Sequence, residues 1–193
     1  MRKIVFDIET SNEFREVGSR EPSALDISIM AIHDSLTDDF YSFTVDELPS
    51  LWPILEKADM LIGFNSDHFD IPLLNKYYPG DLNKIKSLDI LKEIKNSLGR
   101  LIPLDNIAQT TLGVGKSSNG LEAIKWWRNG EVEKVREYCI QDVKVTKDIY
   151  EFALKNGYVK YTDRYTNKPE KIELDTSHWE KKRDSGITHT LPF

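Results

Sequence analysis

The first third of the chain alternates short apolar runs with polar turns, a pattern typical of β-strands. Runs rich in β-branched and aromatic residues predict three strands near the N-terminus and a short fourth strand after them. Their predicted bounds are Lys3–Glu9, Ile27–His33, Phe40–Val45 and Met60–Asn65. The polar residues 37–39 predict a hairpin turn, and we expect residues 10–26 to form a long connection with a functional role.

The later part of the chain is predominantly helical by its apolar spacing. The predicted helices are Asp46–Lys57, Ile71–Tyr78, Asp89–Leu98, Pro103–Leu112, Gly120–Trp127 and Glu131–Lys155. Beyond them, Tyr158–Thr162 and Lys171–Leu174 predict a terminal β-hairpin. Three strands followed by strands that alternate with helices predict an α/β fold with a mixed sheet.

The composition is that of a soluble globular protein, with 39% hydrophobic and 30% charged residues in 193. No apolar stretch is long enough for a membrane span, so we expect no membrane partner. The single cysteine, Cys139, excludes a disulfide framework and favours a reducing, cytoplasmic location. Its place in a helical pattern predicts a small core residue.

Charge is distributed unevenly along the chain, which has a net charge of −6. Residues 1–70 hold 15 acidic and 5 basic residues, whereas residues 71–193 hold 17 acidic and 21 basic ones. An acidic part beside a mildly basic part is compatible with a cation-binding centre flanked by a phosphate-binding surface. Composition alone is equally compatible with ordinary solvated surface charge.

The first strand contains two acidic residues, Asp7 and Glu9, in an otherwise apolar run. Residues two apart on a strand project from the same face. Two buried carboxylates on one face repel each other and are costly to desolvate. The pattern therefore predicts either a cation between them or a face that opens into a wet cleft.

Two later segments add further candidates. Asp70 follows the fourth predicted strand, at the kind of strand end where α/β sheets place their sites. Tyr138 and Asp142 lie four residues apart, on one face of the last helix. Taken singly, helix capping explains Asp70, surface charge explains Asp142 and core packing explains Tyr138.

Together, the segments FDIET, NSDHFD and YCIQD resemble, in order and spacing, the three motifs of the DEDD superfamily of 3′–5′ exonucleases. The Tyr-x-x-x-Asp form of the third motif resembles the DEDDy branch, and the likeness is greatest to the small proteins related to the exonuclease domain of family B DNA polymerases. The resemblance covers about residues 3–155. It implies a ribonuclease-H-like domain over residues 1–156, followed by a C-terminal hairpin and tail over residues 157–193.

The resemblance also implies roles for five residues. Asp7, Glu9 and Asp142 are expected to ligate one Mg²⁺ or Mn²⁺ ion. Asp7 is expected to bridge to a second ion, which Asp70 serves directly or through water. Oxygen ligands suit such ions, and two ions can stabilise an in-line displacement at phosphorus. Tyr138 is expected to orient the attacking water.

Three further residues are substrate-binding candidates. Thr10 directly follows Glu9 and offers a hydroxyl and a backbone N–H to the terminal nucleotide. Asn65 and Phe69 match positions of the second motif that hold the substrate strand in the family. Core packing explains Phe69 equally well.

We therefore expect a metal-dependent 3′–5′ exonuclease that acts on single-stranded ends, DNA ahead of RNA, in DNA repair or replication. The alternative is a catalytically silent nucleic-acid-binding or scaffold subunit of a replication or repair complex. A polymerase, a helicase or a sliding clamp is the expected kind of partner. Residues 188–193 resemble the short terminal peptides that dock on the bacterial sliding clamp, although folding back of Leu191 and Phe193 onto the domain is the favoured explanation.

Overall fold

A five-stranded mixed sheet forms the centre of the computed structural model, which describes residues 1–115 and 120–181. The strands are β1 Lys3–Thr10, β2 Ile27–Asp34, β3 Asp39–Thr44, β4 Met60–Gly63 and β5 Lys86–Asp89. Their spatial order is β3-β2-β1-β4-β5. The first three are antiparallel neighbours, whereas β4 and β5 run parallel to β1. The carboxyl ends of β1, β4 and β5 therefore lie at the same edge of the sheet.

Helices cover both faces of this sheet. The α-helices are α1 Phe14–Val17, α2 Trp52–Leu55, α3 Asp70–Leu74, α4 Ile90–Leu98, α5 Leu104–Leu112, α6 Gly120–Arg128 and α7 Val132–Asn156. Short 3₁₀ helices span Pro22–Ala24, Val45–Ser50, Leu82–Lys84 and Thr176–His178. A separate antiparallel hairpin consists of β6 Tyr158–Thr162 and β7 Pro169–Glu173.

Alternation along β1 divides the core into two layers. Val5 points to the face that carries α7, in one apolar cluster with Ile62 of β4. Ile4 and Phe6 point to the other face, where they pack with Leu61. Because side chains alternate across a strand, Asp7 and Glu9 project to the same face as Val5. The two carboxylates therefore face α7.

The predicted α/β fold with a mixed sheet flanked by helices and a C-terminal hairpin is confirmed. The hairpin packs on the same core, since Val159 and Ile172 belong to the apolar cluster under α7. The division of the chain after residue 156 stays a prediction. The proposed clamp-docking peptide, residues 188–193, lies outside the described residues.

Two predicted helices differ from the structure. The segment predicted as Asp46–Lys57 forms the 3₁₀ helix Val45–Ser50 and then the four-residue α2. Pro49 and Pro53 lack the N–H that a continuous helix needs. The helix predicted over Ile71–Tyr78 ends at Leu74.

The sequence also missed one strand and overextended another. β5, with the sequence KSLD, extends the sheet beyond β4, and Asp89 ends this strand and caps α4. β4 ends at Gly63, before the predicted Asn65, because Asn65 has a φ of 68°. A left-handed residue cannot continue a strand. In the described part of the chain, no helix is both long and apolar enough to cross a membrane.

Candidate functional site

The carboxyl half of β1 places Asp7 and Glu9 opposite apolar residues of β2. Asp7 pairs with Ala31 and Glu9 with Ile29, and the pairing register shifts between Glu9 and Thr10. Glu9 is buried and Asp7 is partly exposed. The strand thus holds two carboxylates beneath α7, with the backbone of both residues paired to β2.

Helix α7 completes an acidic cluster over this face. Its carboxylate Asp142 joins Asp7 and Glu9, and one ligand oxygen from each of the three lies within 4.8 Å of the others. Tyr138 lies one helical turn before Asp142, and its ring meets Trp126 of α6 edge-on, with centroids 6.1 Å apart. We call Asp7, Glu9 and Asp142 the acidic trio.

The turn after β4 brings in Asp70. A side chain on Gly63 would lie 2.4 Å from Cβ of Ser66, so only glycine permits this close approach. Asn65 adopts the left-handed conformation, which Asn tolerates better than most residues. Its carbonyl accepts the N–H of Phe69 at 3.0 Å. This tight turn starts α3 at Asp70, against β1.

Asp70 is a buried carboxyl close to Asp7. It is 4% exposed, and within residues 1–115 and 120–181 its Oδ1 accepts no hydrogen bond. Burial raises its pKa well above the usual range, and the charge of Asp7 raises it further. Backbone N–H groups of Asp70 and Ile8 act in the opposite direction. An unsatisfied buried carboxyl oxygen beside another carboxylate is the environment that a cation relieves.

Tyr138 keeps its proton at any physiological pH. Burial raises the pKa of its hydroxyl, and the negative charges of Asp142 and Glu9 raise it further, as does its hydrogen bond to Asp142. A phenol in this environment remains neutral and can donate or accept a hydrogen bond.

A second group of α7, the thiol of Cys139, lies beneath Asp7. The residue is fully buried, as the sequence predicts for a small core residue. Its Sγ lies 3.4 Å from the carbonyl oxygen of Asp7 and 3.7 Å from Asp7 Oδ2. Burial raises the pKa of this thiol, and the surrounding carboxylates raise it further. Cys139 therefore stays a neutral thiol.

Asp89 fixes the loop that carries Asn65. Its Oδ1 accepts the backbone N–H of Asn65 at 2.8 Å, and its Oδ2 accepts that of Asp67 at 3.1 Å. Oδ1 also caps α4 by accepting the N–H groups of Leu91 and Lys92. Burial raises the pKa of Asp89, whereas these N–H groups lower it. Helix capping thus accounts for this carboxylate.

The structure brings all eight predicted site residues to one cavity of about 260 Å³. These residues are Asp7, Glu9, Thr10, Asn65, Phe69, Asp70, Tyr138 and Asp142. Phe69 contacts Phe14 edge-on at 6.2 Å, and the hydroxyl of Thr10 donates to the carbonyl of Asn12 at 3.0 Å. Their individual roles stay predictions.

The donor set fits a divalent metal. The acidic trio offers hard carboxylate oxygens, the ligands that Mg²⁺ and Mn²⁺ prefer. Asp70 lines the same cavity without belonging to the trio, and its unsatisfied Oδ1 remains available for a cation or a water.

Sequence reasoning missed three features around this cavity. Nothing in the sequence indicates that Cys139 lies against Asp7, because 132 residues separate them. Gly120, at the start of α6, also lines the cavity, and a side chain there would lie 3.8 Å from Glu9 Oε2. The third feature is a neighbouring cleft over β4 and β5, which the missed strand β5 helps to form.

Comparison with known proteins agrees with the fold. Among solved structures, the family B DNA polymerase from the hyperthermophilic archaeon Pyrobaculum calidifontis matches with a TM-score of 0.62 and 17% identity. The match covers 80% of this chain and 24% of the polymerase, so the chain spans about a quarter of that protein's length. The sequence has no significant match among curated proteins. The model of the RNase_H superfamily matches residues 4–154, and the chain therefore belongs to the RNase_H superfamily.

Proposed function

We propose that the protein is a metal-dependent 3′–5′ exonuclease that hydrolyses single-stranded ends, DNA ahead of RNA. Membership of the RNase_H superfamily supports a nuclease-type function in general terms. The observation that carries the proposal is the convergence of Asp7, Glu9 and Asp142 within 4.8 Å at the carboxyl end of β1. Asp70 and Tyr138 line the same cavity.

Asp7, Glu9 and Asp142 would hold one divalent ion, and Asp7 with Asp70 would hold a second. Bound ions of this kind polarise phosphoryl oxygens and lower the pKa of a coordinated water. The protein contributes the fixed carboxylates, which β1, α3 and α7 hold in place before substrate binds. Such preorganisation avoids reorganisation during the reaction.

Tyr138 would orient the attacking water. Its hydroxyl is neutral and hydrogen-bonded to Asp142, so it can accept a hydrogen bond from a water or donate one to it. The water oxygen bonds to the terminal phosphorus while the bond from phosphorus to the 3′ oxygen of the preceding nucleotide breaks. One proton of the water ends on that 3′ oxygen, and a nucleoside 5′-monophosphate leaves.

Thr10, Asn65 and Phe69 would position the substrate around the scissile phosphate. Phe69 and its neighbour Phe14 present apolar ring surface beside the catalytic cavity. A base can pack on such a surface without sequence preference. Asn65 lines the same cavity and also borders the neighbouring cleft. A polymerase or helicase partner is part of this proposal.

The experiment compares wild type with two variants of α7 on labelled single-stranded oligonucleotides in Mg²⁺ or Mn²⁺. Asp142→Asn removes a member of the acidic trio, and we expect it to abolish hydrolysis. Asp148→Asn makes the same chemical change on the same helix outside the cavity lining, and we expect it to retain wild-type activity. Matched DNA and RNA substrates determine the sugar preference, since only RNA offers a 2′-hydroxyl.

Two results would contradict the proposal. One is undiminished hydrolysis by Asp142→Asn. The other is oligonucleotide binding by the wild type without hydrolysis in either metal, which would favour a silent binding subunit.

A further inference from the structure

A second cleft adjoins the catalytic cavity along the same edge of the sheet. It has a volume of about 520 Å³. Asn65 lines both spaces, so the two adjoin at this residue. The remaining walls come from the turn after β4, from the start of α4 and from the segment after α4. We call it the lysine cleft after Lys92 and Lys95, which line it together with His68 and Leu101.

The position of the lysine cleft follows from the parallel strands. The catalytic cavity lies over the carboxyl ends of β1 and β4, where Glu9 and Asn65 are placed. The lysine cleft lies over the ends of β4 and β5, where Asn65 and Asp89 are placed. Ligands of open α/β sheets bind along this carboxyl edge. A chain that extends from the catalytic cavity past Asn65 along this edge would therefore reach the lysine cleft.

The two carboxylates that line the cleft already have ion-pair or hydrogen-bond partners within the protein. Asp67 pairs with Lys92 at 2.8 Å and accepts the hydroxyl of Ser87 at 2.6 Å. Asp89 accepts backbone N–H groups with both oxygens. Lys95 is exposed and lies three residues after Lys92, on the same helix face. In the described parts of the chain, no carboxylate lies within ion-pair distance of Lys95.

The cleft also offers apolar and aromatic surface. Leu101, which lines the cleft, is 59% exposed and leaves its aliphatic side chain open to a ligand. His68 is also exposed and lines the cleft. Unstacked bases pack on such side chains, while the ammonium groups of lysines attract the phosphates between them.

The other flank of the catalytic cavity has a different character. A cleft of about 320 Å³ shares Phe69 and Thr10 with it and is lined largely by apolar side chains such as Phe14 and Leu121. Arg15 is its one basic lining residue among those described. An exonuclease holds a single terminal nucleotide on one side of the scissile phosphate and the continuing chain on the other. The continuing chain carries a phosphate at every nucleotide, so it fits the side with two lysines, which is the lysine cleft.

We propose that the lysine cleft binds the nucleotides on the 5′ side of the scissile phosphate in a single-stranded substrate. The inference rests on the proposed function, because it takes the acidic trio as the place of cleavage. Lys95 contacts a phosphate, and Leu101 and His68 contact bases. The cleft thus selects chains of several nucleotides over mononucleotide esters.

The kinetic test uses two substrates that differ only in what lies on the 5′ side. The p-nitrophenyl ester of thymidine 5′-monophosphate has a terminal nucleotide and a scissile bond but no upstream chain, whereas a DNA 10-mer has both. We expect Lys95→Glu to raise the KM for the 10-mer about fivefold and to leave hydrolysis of the ester unchanged. Lys57→Glu is the matched control, because Lys57 is exposed just before β4, at the opposite edge.

A binding test does not depend on turnover. We expect Lys95→Glu to reduce the slope of log Kd against log salt concentration for the 10-mer by about 0.7, the value for one single-strand phosphate contact. Leu101→Ser is expected to weaken binding without changing the slope, because a base contact releases no counterion. Leu36→Ser is its control, since Leu36 is 70% exposed in the turn between β2 and β3.

The outcomes separate the two proposals. If wild type hydrolyses neither substrate, the proposed function is wrong, and the salt slope of Lys95→Glu still decides whether a strand occupies the cleft. If wild type hydrolyses both substrates, an equal effect of Lys95→Glu on the two would contradict strand binding in the lysine cleft. An unchanged salt slope in this variant overturns it as well.

Discussion

At the scale of single residues, the central feature is the repulsion within the acidic trio. Asp7, Glu9 and Asp142 bring three carboxylates within 4.8 Å of one another, and Asp70 adds a fourth that is buried beside Asp7. Like charges this close oppose folding unless a cation neutralises them. We therefore expect these residues to lower stability in the absence of metal and to raise it when metal binds.

Asp7→Asn should reveal how metal changes the stability of the protein. We expect the metal-free variant to be at least as stable as the wild type, because one of the repelling charges is gone. Mn²⁺ at about 100 times its Kd should raise the Tm of the wild type by about 5 °C or more. The variant should show little of this rise. Thermal unfolding with and without metal checks the prediction, and an equal rise in both proteins would contradict it.

Tyr138→Phe should slow hydrolysis while leaving substrate and metal affinity nearly unchanged. The hydroxyl is expected to act on the water in the transition state, so its loss should lower kcat with little effect on KM. Groups of this kind contribute about 10²- to 10⁴-fold. A kinetically silent variant would make Tyr138 a core residue that packs on Trp126.

At the scale of elements, Asp89 connects three parts of the site. It ends β5, caps α4 and holds the backbone of Asn65 after β4. We expect Asp89→Ala to lower the free energy of unfolding by about 2 kcal/mol, because several backbone N–H groups lose their acceptor. Asp89→Asn retains one acceptor oxygen and should cost less. Urea unfolding of the two variants measures the difference, and equal losses would contradict the role of hydrogen bonding.

Arg2, just before β1, contacts Asp34 at the end of β2, and the stability that this contact contributes should depend on pH. Arg2 donates two hydrogen bonds to the buried Asp34, at 3.0 and 2.5 Å. These hydrogen bonds lower the pKa of Asp34 below its usual 3.8, as does the backbone N–H of Leu36, whereas burial raises it. The stabilisation is therefore fully present above pH 3.8 and is lost as the pH falls through the lowered value.

Asp34→Asn tests this pH dependence. We expect the variant to be less stable than the wild type by about 1–3 kcal/mol near neutral pH. The difference should stay constant down to about pH 4–5 and shrink below that as Asp34 of the wild type takes up its proton. Urea unfolding across this pH range provides the measurement. A gap that widens at low pH would contradict the sign of the shift.

Long periodic elements could be predicted from the sequence, whereas short and proline-containing ones could not. Val132–Asn156 differs from its prediction by one residue at each end, because its apolar spacing persists over seven turns. β5 has only four residues and three of them are polar, so no alternation marks it. Pro49 and Pro53 broke a segment whose apolar spacing alone favoured one helix.

More of the candidate site than of the elements around it could be predicted from the sequence. Three short motifs identified residues that the structure brings to one cavity, since the order of strand, turn and helix determines where their side chains meet. The lysine cleft escaped prediction because it depends on β5 and on Leu101, which no motif marks. Contacts such as that of Cys139 with Asp7 arise only from packing across the sheet.

At the scale of the whole molecule, the carboxyl edge of the sheet brings the acidic and basic parts of the chain together. The net charge of −6 opposes a nucleic-acid ligand in general. The acidic trio could hold a metal ion, and Lys92 and Lys95 supply positive charge in the adjoining cleft. We therefore expect oligonucleotide binding to need divalent metal and to weaken steeply with salt.

The exonuclease proposal is tested by the time course of a 5′-end-labelled single-stranded DNA 20-mer in Mn²⁺, resolved to single nucleotides. We expect a ladder of labelled products that shortens from full length one nucleotide at a time, with nucleoside 5′-monophosphates as the other product, and we expect a chelator to abolish it. Early release of the label, cuts within the chain or an unshortened oligonucleotide would contradict a metal-dependent 3′–5′ exonuclease.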